Sequence, residues 1–138
     1  MSSVTFDVVL TVLRILIALV FIGMGVNHFV PRSARTMAAM IPPRMRTGFL
    51  SEGGRVTPLT LVYLTGVCEI AGGLGLLFPP TRLAAGVALV VFLACVFPAN
   101  AYAATRRDKF GALAIPFWPR LVGQIVLAAL VLLVALPL

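Results

Sequence analysis

The segment from Thr57 to Pro80 places the strongest constraint on the fold of this chain. It contains no Lys, Arg or Asp and is long enough to cross a lipid bilayer, yet Glu69 lies near its middle. An ionised carboxylate at that depth costs at least about 2.5 kcal/mol unless it is protonated, paired or turned toward a wet cavity. Glu69 therefore marks a candidate functional site, for which the other segments must supply a partner.

The composition is typical of a helical membrane protein. Of the 138 residues, 61% are hydrophobic and 11% are charged, and the mean hydropathy is +1.10, which lies outside the range of soluble domains. The apolar residues form unbroken runs of about twenty instead of ten-residue alternating strands, which excludes a β-barrel. We predict an all-α, four-helix transmembrane bundle that forms one integral membrane domain over residues 1–138.

Four apolar runs predict the four transmembrane helices. The first lacks a basic leader and a cleavage site, so we interpret it as a retained span and not as a signal peptide. Pro79 and Pro80 end the second run, and Pro98 predicts a kink late in the third. The predicted helices are residues 8–30, 58–78, 83–104 and 120–136.

The segment between the first two spans is basic and contains one short amphipathic stretch. Ser33–Met40 predicts a helix lying at the membrane interface, ended by Pro42 and Pro43. Two interpretations of this segment stay open: a basic solvated loop, or a lid over a cavity between the helices.

Basic residues gather in the first and third loops, whereas the second loop holds Arg82 alone. By the positive-inside rule, those two loops face the cytoplasm and both termini lie on the extracytoplasmic side of the cell (plasma or inner) membrane. The same charges predict attraction to anionic headgroups at the cytoplasmic face. Because membrane topology accounts for the net charge of +7, we expect no nucleic-acid binding. The loop residues are Arg32, Arg35, Arg44, Arg46, Arg55, Arg106, Arg107 and Lys109.

Polar residues in the first two spans lie on stripes with helical spacing. Each stripe combines one or two ionisable residues with small ones, and small residues allow close helix approach. We therefore expect both stripes to point into the bundle. The stripes are Arg14, Ala18, Phe21, Gly25 and His28 in the first span, and Val62, Gly66, Glu69, Gly73 and Leu76 in the second.

Depth along the helices predicts two polar groupings. Arg14 lies about 9 Å and Glu69 about 13 Å from the extracytoplasmic ends of their predicted helices, which favours a buried ion pair. Near the cytoplasmic face, His28, Asn100 and Gln124 share a common depth, which favours a hydrogen-bonded cluster.

The role of each polar residue stays open at this point. Glu69 is either a structural acid neutralised by Arg14 or a proton- or ligand-binding group. His28 either forms hydrogen bonds at the interface or contacts a ligand. Asn100 either contributes to a site or satisfies carbonyl groups freed by a kink at Pro98.

Several kinds of chemistry are excluded. A single histidine cannot supply both axial ligands of a bis-histidine haem within one chain. We expect no metal site, because His28 and Glu69 are the strongest ligands and lie at different depths. Cys68 and Cys95 are expected to pack as small apolar residues.

Three segments resemble the DoxX-like family of small four-helix membrane proteins. They are F-I-G-M-G-V-N-H-F-V-P at 21–31, T-G-V-C-E-I-A-G-G-L-G-L-L-F-P at 65–79 and V-F-P-A-N at 96–100. The positions that match are His28, Glu69 and Asn100. The resemblance implies a functionally mixed group: a thiosulfate:quinone oxidoreductase branch, membrane-associated thiol redox complexes, and assembly chaperones for receptor subunits.

Three functions follow from the polar cluster of Arg14, His28, Glu69, Asn100 and Gln124. The first is a membrane accessory protein of the DoxX-like type that binds a partner membrane protein or a small amphipathic, lipid-like molecule and requires no cofactor. The second is the membrane subunit of a quinone-linked oxidoreductase, in which Glu69 or His28 exchanges a proton with the quinone. The third is an isomerase acting on a sterol-like lipid. No catalytic residue is assigned, and the glycine-lined faces would also suit a homodimer.

Overall fold

The computed structural model describes residues 2–48, 50–51, 53–111 and 114–137, and in these ranges the regular structure is helical. Two single 3₁₀ turns, Pro43–Met45 and Pro79–Thr81, connect α-helices. Four helical stretches are long and apolar enough to cross a membrane, which identifies a multi-pass membrane protein. The α-helices are α1 (Ser3–Asn27), α2 (Pro31–Met40), α3 (Pro58–Leu77), α4 (Arg82–Thr105), α5 (Arg107–Phe110) and α6 (Phe117–Ala135).

Local capping explains where the long helices begin. The hydroxyl of Ser2 accepts a hydrogen bond from the Thr5 amide at 3.2 Å, so α1 starts at Ser3, five residues before the predicted start. The hydroxyl of Thr57 caps α3 in the same way, accepting from the amide of Thr60 at 3.1 Å. Helix α6 begins at Phe117, three residues earlier than predicted, because Pro119 falls in the first turn, where its missing N–H is not needed.

The spans are arranged in the order α1, α3, α4 and α6, and α1 touches α6 over a shorter stretch than the other neighbours share. We call the end of the bundle with Ser3, the Pro79–Thr81 turn and Ala135 the terminal side. The opposite end is the loop side. The main apolar core lies toward the terminal side, where Phe21, Leu76, Leu89, Val131 and Val134 are fully buried.

Glycines let α1 and α3 approach each other closely. A Cβ added at Gly66 would lie 2.7 Å from the Cβ of His28 and 3.0 Å from the carbonyl oxygen of Gly25. One added at Gly73 would lie 2.9 Å from the carbonyl oxygen of Ala18. In each contacting pair the two residue numbers add up to about 93. Residue numbers therefore rise along α1 as they fall along α3, which means that the two helices are antiparallel. The predicted stripes do face each other: on α3 every member is buried, and on α1 all are buried or half-buried.

The basic segment after α1 packs against the bundle. Ala34 is fully buried where α2 meets α3 and α4, and Met40 joins a second apolar cluster with Ala103 and Phe110. The segment is therefore neither a free solvated loop nor a helix lying apart from the bundle. A groove of about 600 Å³ lies between the Pro43–Met45 turn and α4.

Candidate functional site

His28 and Glu69 form a buried pair between α1 and α3. Nε2 of His28 lies 3.0 Å from Oε2 of Glu69, and the side chains are 12% and 2% exposed. Oε2 has no other partner in the described part of the chain, and the contact has the distance of an ion pair. His28 is thus the partner that Glu69 requires within the bilayer.

Helix geometry explains why these two residues meet. In the antiparallel register His28 lies opposite about residue 65, one turn closer to the loop side than Glu69. Side chains lean toward the N-terminus of their own helix, so His28 leans toward the membrane centre and Glu69 toward the loop side. The two side chains therefore converge from opposite directions. Gly66 is essential to this arrangement because it leaves room for the Cβ of His28.

The hydrogen bonds of the histidine determine where its proton lies. Nδ1 is 2.9 Å from the carbonyl oxygen of Val62 and 3.1 Å from the hydroxyl oxygen of Thr65, and that hydroxyl itself donates to the Val62 carbonyl at 2.8 Å. A carbonyl oxygen only accepts, so we assign the Nδ1 hydrogen as donor.

The hydrogen on Nδ1 limits what Nε2, the other ring nitrogen, can do. With a hydrogen on Nδ1, a neutral His28 would direct the lone pair of Nε2 at Oε2, and two acceptors at 3.0 Å repel each other. One proton must therefore lie between the two atoms, either on the imidazolium or on the carboxylic acid. Both forms leave the pair without net charge, which makes it tolerable in the bilayer.

The expected ion pair between Arg14 and Glu69 is wrong. Nε of Arg14 donates to the carbonyl oxygen of Val134, 2.9 Å away in the last turn of α6. The prediction measured depth from helix ends, but α1 begins at Ser3 and its register with α3 sets Arg14 opposite about residue 79. That position is about 15 Å beyond Glu69, and the two side chains lean away from each other.

Arg120 is the residue that sequence reasoning missed. It lies half-buried in the first turn of α6, where the charge of Glu69 acts on it over a distance longer than that of an ion pair. In the sequence, Arg120 stands only as the first residue of the fourth predicted helix. Its signal was an arginine in the first turn of an apolar helix, a position where the helix dipole disfavours a cation and a carboxylate partner is needed.

Asn100 and Gln124 do not form the expected cluster with His28. Among the described residues no hydrogen bond joins any two of the three. Both ring nitrogens of His28 instead contact residues of α3. Nδ2 of Asn100 is buried without a described partner. The amide of Asn100 therefore donates no hydrogen bond to the backbone carbonyl groups that Pro98 leaves without a partner. Helix α4 itself continues through Pro98. Gln124 is half-buried one turn after Arg120 and shares its helix face.

The loop-side half of α6 is loosely packed. Its buried residues are Val131, Val134 and Ala135, all in the terminal half, and no residue from 117 to 130 is fully buried. Arg120 belongs to this loose half. Arg120 and Gln124 thus lie on an α6 stretch that buries no side chain fully.

The two cysteines are exposed, contrary to the expected interior packing. Cys68 precedes Glu69 by one residue, which rotates it about 100° from the buried face of α3. Cys95 is likewise exposed on α4. Both thiols therefore face outward from the bundle.

Fold and site together define an all-α, multi-pass membrane protein with a buried histidine–glutamate pair. Residues 17–135 match the model of a family described as Domain of unknown function (DUF8561), and the chain belongs to that family. No curated protein matches the chain. No solved structure matches it either.

Proposed function

We propose that this protein binds a small amphipathic molecule whose polar head enters the bundle beside His28 and Glu69. The observation that carries the proposal is the buried carboxylate oxygen of Glu69, whose described partner is a titratable histidine. Buried polar atoms are normally satisfied. Nδ2 of Asn100 is a buried donor without a partner in the described part of the chain.

The packing supports entry of such a ligand from the lipid. The loop-side half of α6 contains no fully buried residue, so a flat or chain-like molecule can reach the pair with little loss of core contacts. Apolar walls with a few convergent polar groups are the usual form of a site for small hydrophobic ligands.

The available groups define the head of the ligand. Arg120 is a half-buried cation in the first turn of α6, and Asn100 offers a buried N–H donor. Both favour a head with an electron-rich oxygen, such as a carbonyl or a hydroxyl group. The resemblance to the DoxX-like family at His28, Glu69 and Asn100 supports the same proposal, because these are the positions with the unusual polar contacts.

Proton exchange with a quinone is a second candidate, and the shared proton favours it. Pairing with Arg14 would have held Glu69 permanently ionised, because arginine does not lose its proton. Histidine can release and regain a proton near neutral pH. A quinone oxygen placed at Nε2 or Oε2 would therefore meet a group able to give it a proton while a partner oxidoreductase subunit supplies the electrons.

The test is native mass spectrometry of gently purified protein with analysis of extracted small molecules. Glu69→Gln retains the side-chain shape and removes the acid, and Asp7→Asn is the matched control at an exposed acid outside the site. We expect a defined amphiphile in the wild type and in Asp7→Asn, and its loss from folded Glu69→Gln. Bulk phospholipid alone in all three forms would overturn the ligand proposal and favour a protein partner.

The identity of the ligand distinguishes the two candidates. A bound quinone would be followed by redox titration at several pH values, where proton-coupled reduction gives a potential that falls with pH. A sterol-like or other non-redox amphiphile would exclude the quinone proposal.

We also propose that both termini lie outside the cytoplasm of the cell membrane. The support is the excess of basic residues in the two segments on the loop side, at positions 31–57 and 106–109. The proposal concerns orientation only and is independent of the ligand.

A further inference from the structure

Two arginines bind helix ends on the terminal side of the bundle. Nε of Arg14 donates to the carbonyl oxygen of Val134 at 2.9 Å, and Nε of Arg82 donates to that of Leu76 at 3.0 Å. These carbonyls lie in the last turns of α6 and α3, where the helix leaves its final acceptors without internal partners. Each arginine is therefore held through Nε, and within the described part of the chain its Nη groups form no hydrogen bond.

The same packing brings the two guanidinium groups together. The register of α1 on α3 sets Arg14 opposite about residue 79, within the Pro79–Thr81 turn that leads directly to Arg82. Their acceptors, Val134 and Leu76, belong to one apolar cluster, so the two positive charges lie on the same side of the bundle. Within the described part of the chain, the ion pairs join His28 to Glu69 and Arg106 to Asp108, so neither Arg14 nor Arg82 has a carboxylate partner.

The position of the pair corresponds to the lipid headgroups. Helices α3 and α6 both end at this level, and the 20 residues of α3 extend about 30 Å, the thickness of the hydrocarbon layer. Charges at such a depth lie in or beside the headgroup region and not in the hydrocarbon centre.

We propose that Arg14 and Arg82 form a binding site for the phosphate of an anionic phospholipid on the terminal side of the membrane. A guanidinium group presents a planar set of donors that fits phosphate oxygens, and a hydrogen bond at Nε orients that set. One phosphate between the two groups replaces their mutual repulsion with two attractions. A zwitterionic lipid would neutralise less of the charge, because its own cation accompanies the phosphate.

The experiment measures lipid retention by native mass spectrometry, with equal amounts of phosphatidylglycerol and phosphatidylcholine added to the purified full chain. We compare the wild type with Arg82→Gln and with Arg32→Gln, an exposed arginine in α2. We expect the wild type and Arg32→Gln to retain phosphatidylglycerol about tenfold better than phosphatidylcholine, which is the preference that one charge-assisted hydrogen bond would give. We expect Arg82→Gln to lose that preference.

Other outcomes overturn the proposal. Equal retention of the two lipids, or equal losses in Arg82→Gln and Arg32→Gln, would show attraction to general positive charge only. Displacement of the lipid by an equal concentration of inorganic phosphate would assign the site to a soluble phosphate instead. If Arg82→Gln does not fold, Arg82→Lys retains the charge but loses the oriented donors, and an unchanged lipid preference in that variant would equally refute a guanidinium site.

Discussion

Gly66→Ala tests whether helix contact holds the histidine–glutamate pair together. The new Cβ would lie 2.7 Å from the Cβ of His28, which is attached directly to the backbone and cannot rotate away. An ordinary contact begins at 3.4 Å, so α1 and α3 must separate by about 0.7 Å. If the whole displacement reaches the site, the distance from Nε2 to Oε2 grows from 3.0 Å to about 3.7 Å.

The energetic effect is measured against Gly23→Ala. A Cβ at Gly23 would meet nothing within 4 Å, and both substitutions gain the same intrinsic helix preference of alanine, about 1 kcal/mol. The difference between the variants therefore isolates the clash, for which overpacking predicts about 1–3 kcal/mol of lost stability.

The assay is reversible unfolding in mixed micelles with increasing dodecyl sulfate, followed by far-ultraviolet circular dichroism. We expect Gly66→Ala to unfold at a lower detergent fraction than Gly23→Ala, and Gly23→Ala at the same fraction as the wild type or higher. A Gly66→Ala protein as stable as Gly23→Ala would falsify the close contact of α1 with α3 and the site geometry that depends on it.

Three further predictions concern the pair, the terminal side and the orientation. Removing one member of the buried pair should lower the free energy of unfolding by about 3–5 kcal/mol. The double variant His28→Leu/Glu69→Leu should lose less stability than the sum of the two single variants, and additive losses in the same unfolding assay would argue against direct coupling. Arg14→Leu should lower stability by about 1–3 kcal/mol through loss of the charged donor to α6, while Arg14→Lys recovers part of it; equal stability of the two variants would contradict a role for charge. A membrane-impermeant amine reagent should leave Lys109 unmodified in intact cells and modify it after permeabilisation, as read by peptide mass spectrometry, and modification in intact cells would reverse the proposed orientation.

Local sequence patterns determined the helices and their inward faces. Four apolar runs gave four spans within a few residues of their bounds, and the stripes around Gly25 and Glu69 identified the faces that meet. These properties depend on residues one or two turns apart, which the sequence places at known angles. The buried position of Glu69 followed for the same reason.

Tertiary structure alone decided what lies opposite Glu69. The choice between Arg14 and His28 depends on the axial register of two helices, and that register is set by contacts at Gly66 and Gly73 and not by distances from helix ends. The position of Arg120, in the first turn of an α6 stretch that buries no residue fully, likewise depends on how the four helices pack. The sequence by itself determined that a buried acid must have a partner, because bilayer energetics apply to any fold. Only packing between helices selected a histidine, a partner that, unlike arginine, can lose its proton near neutral pH.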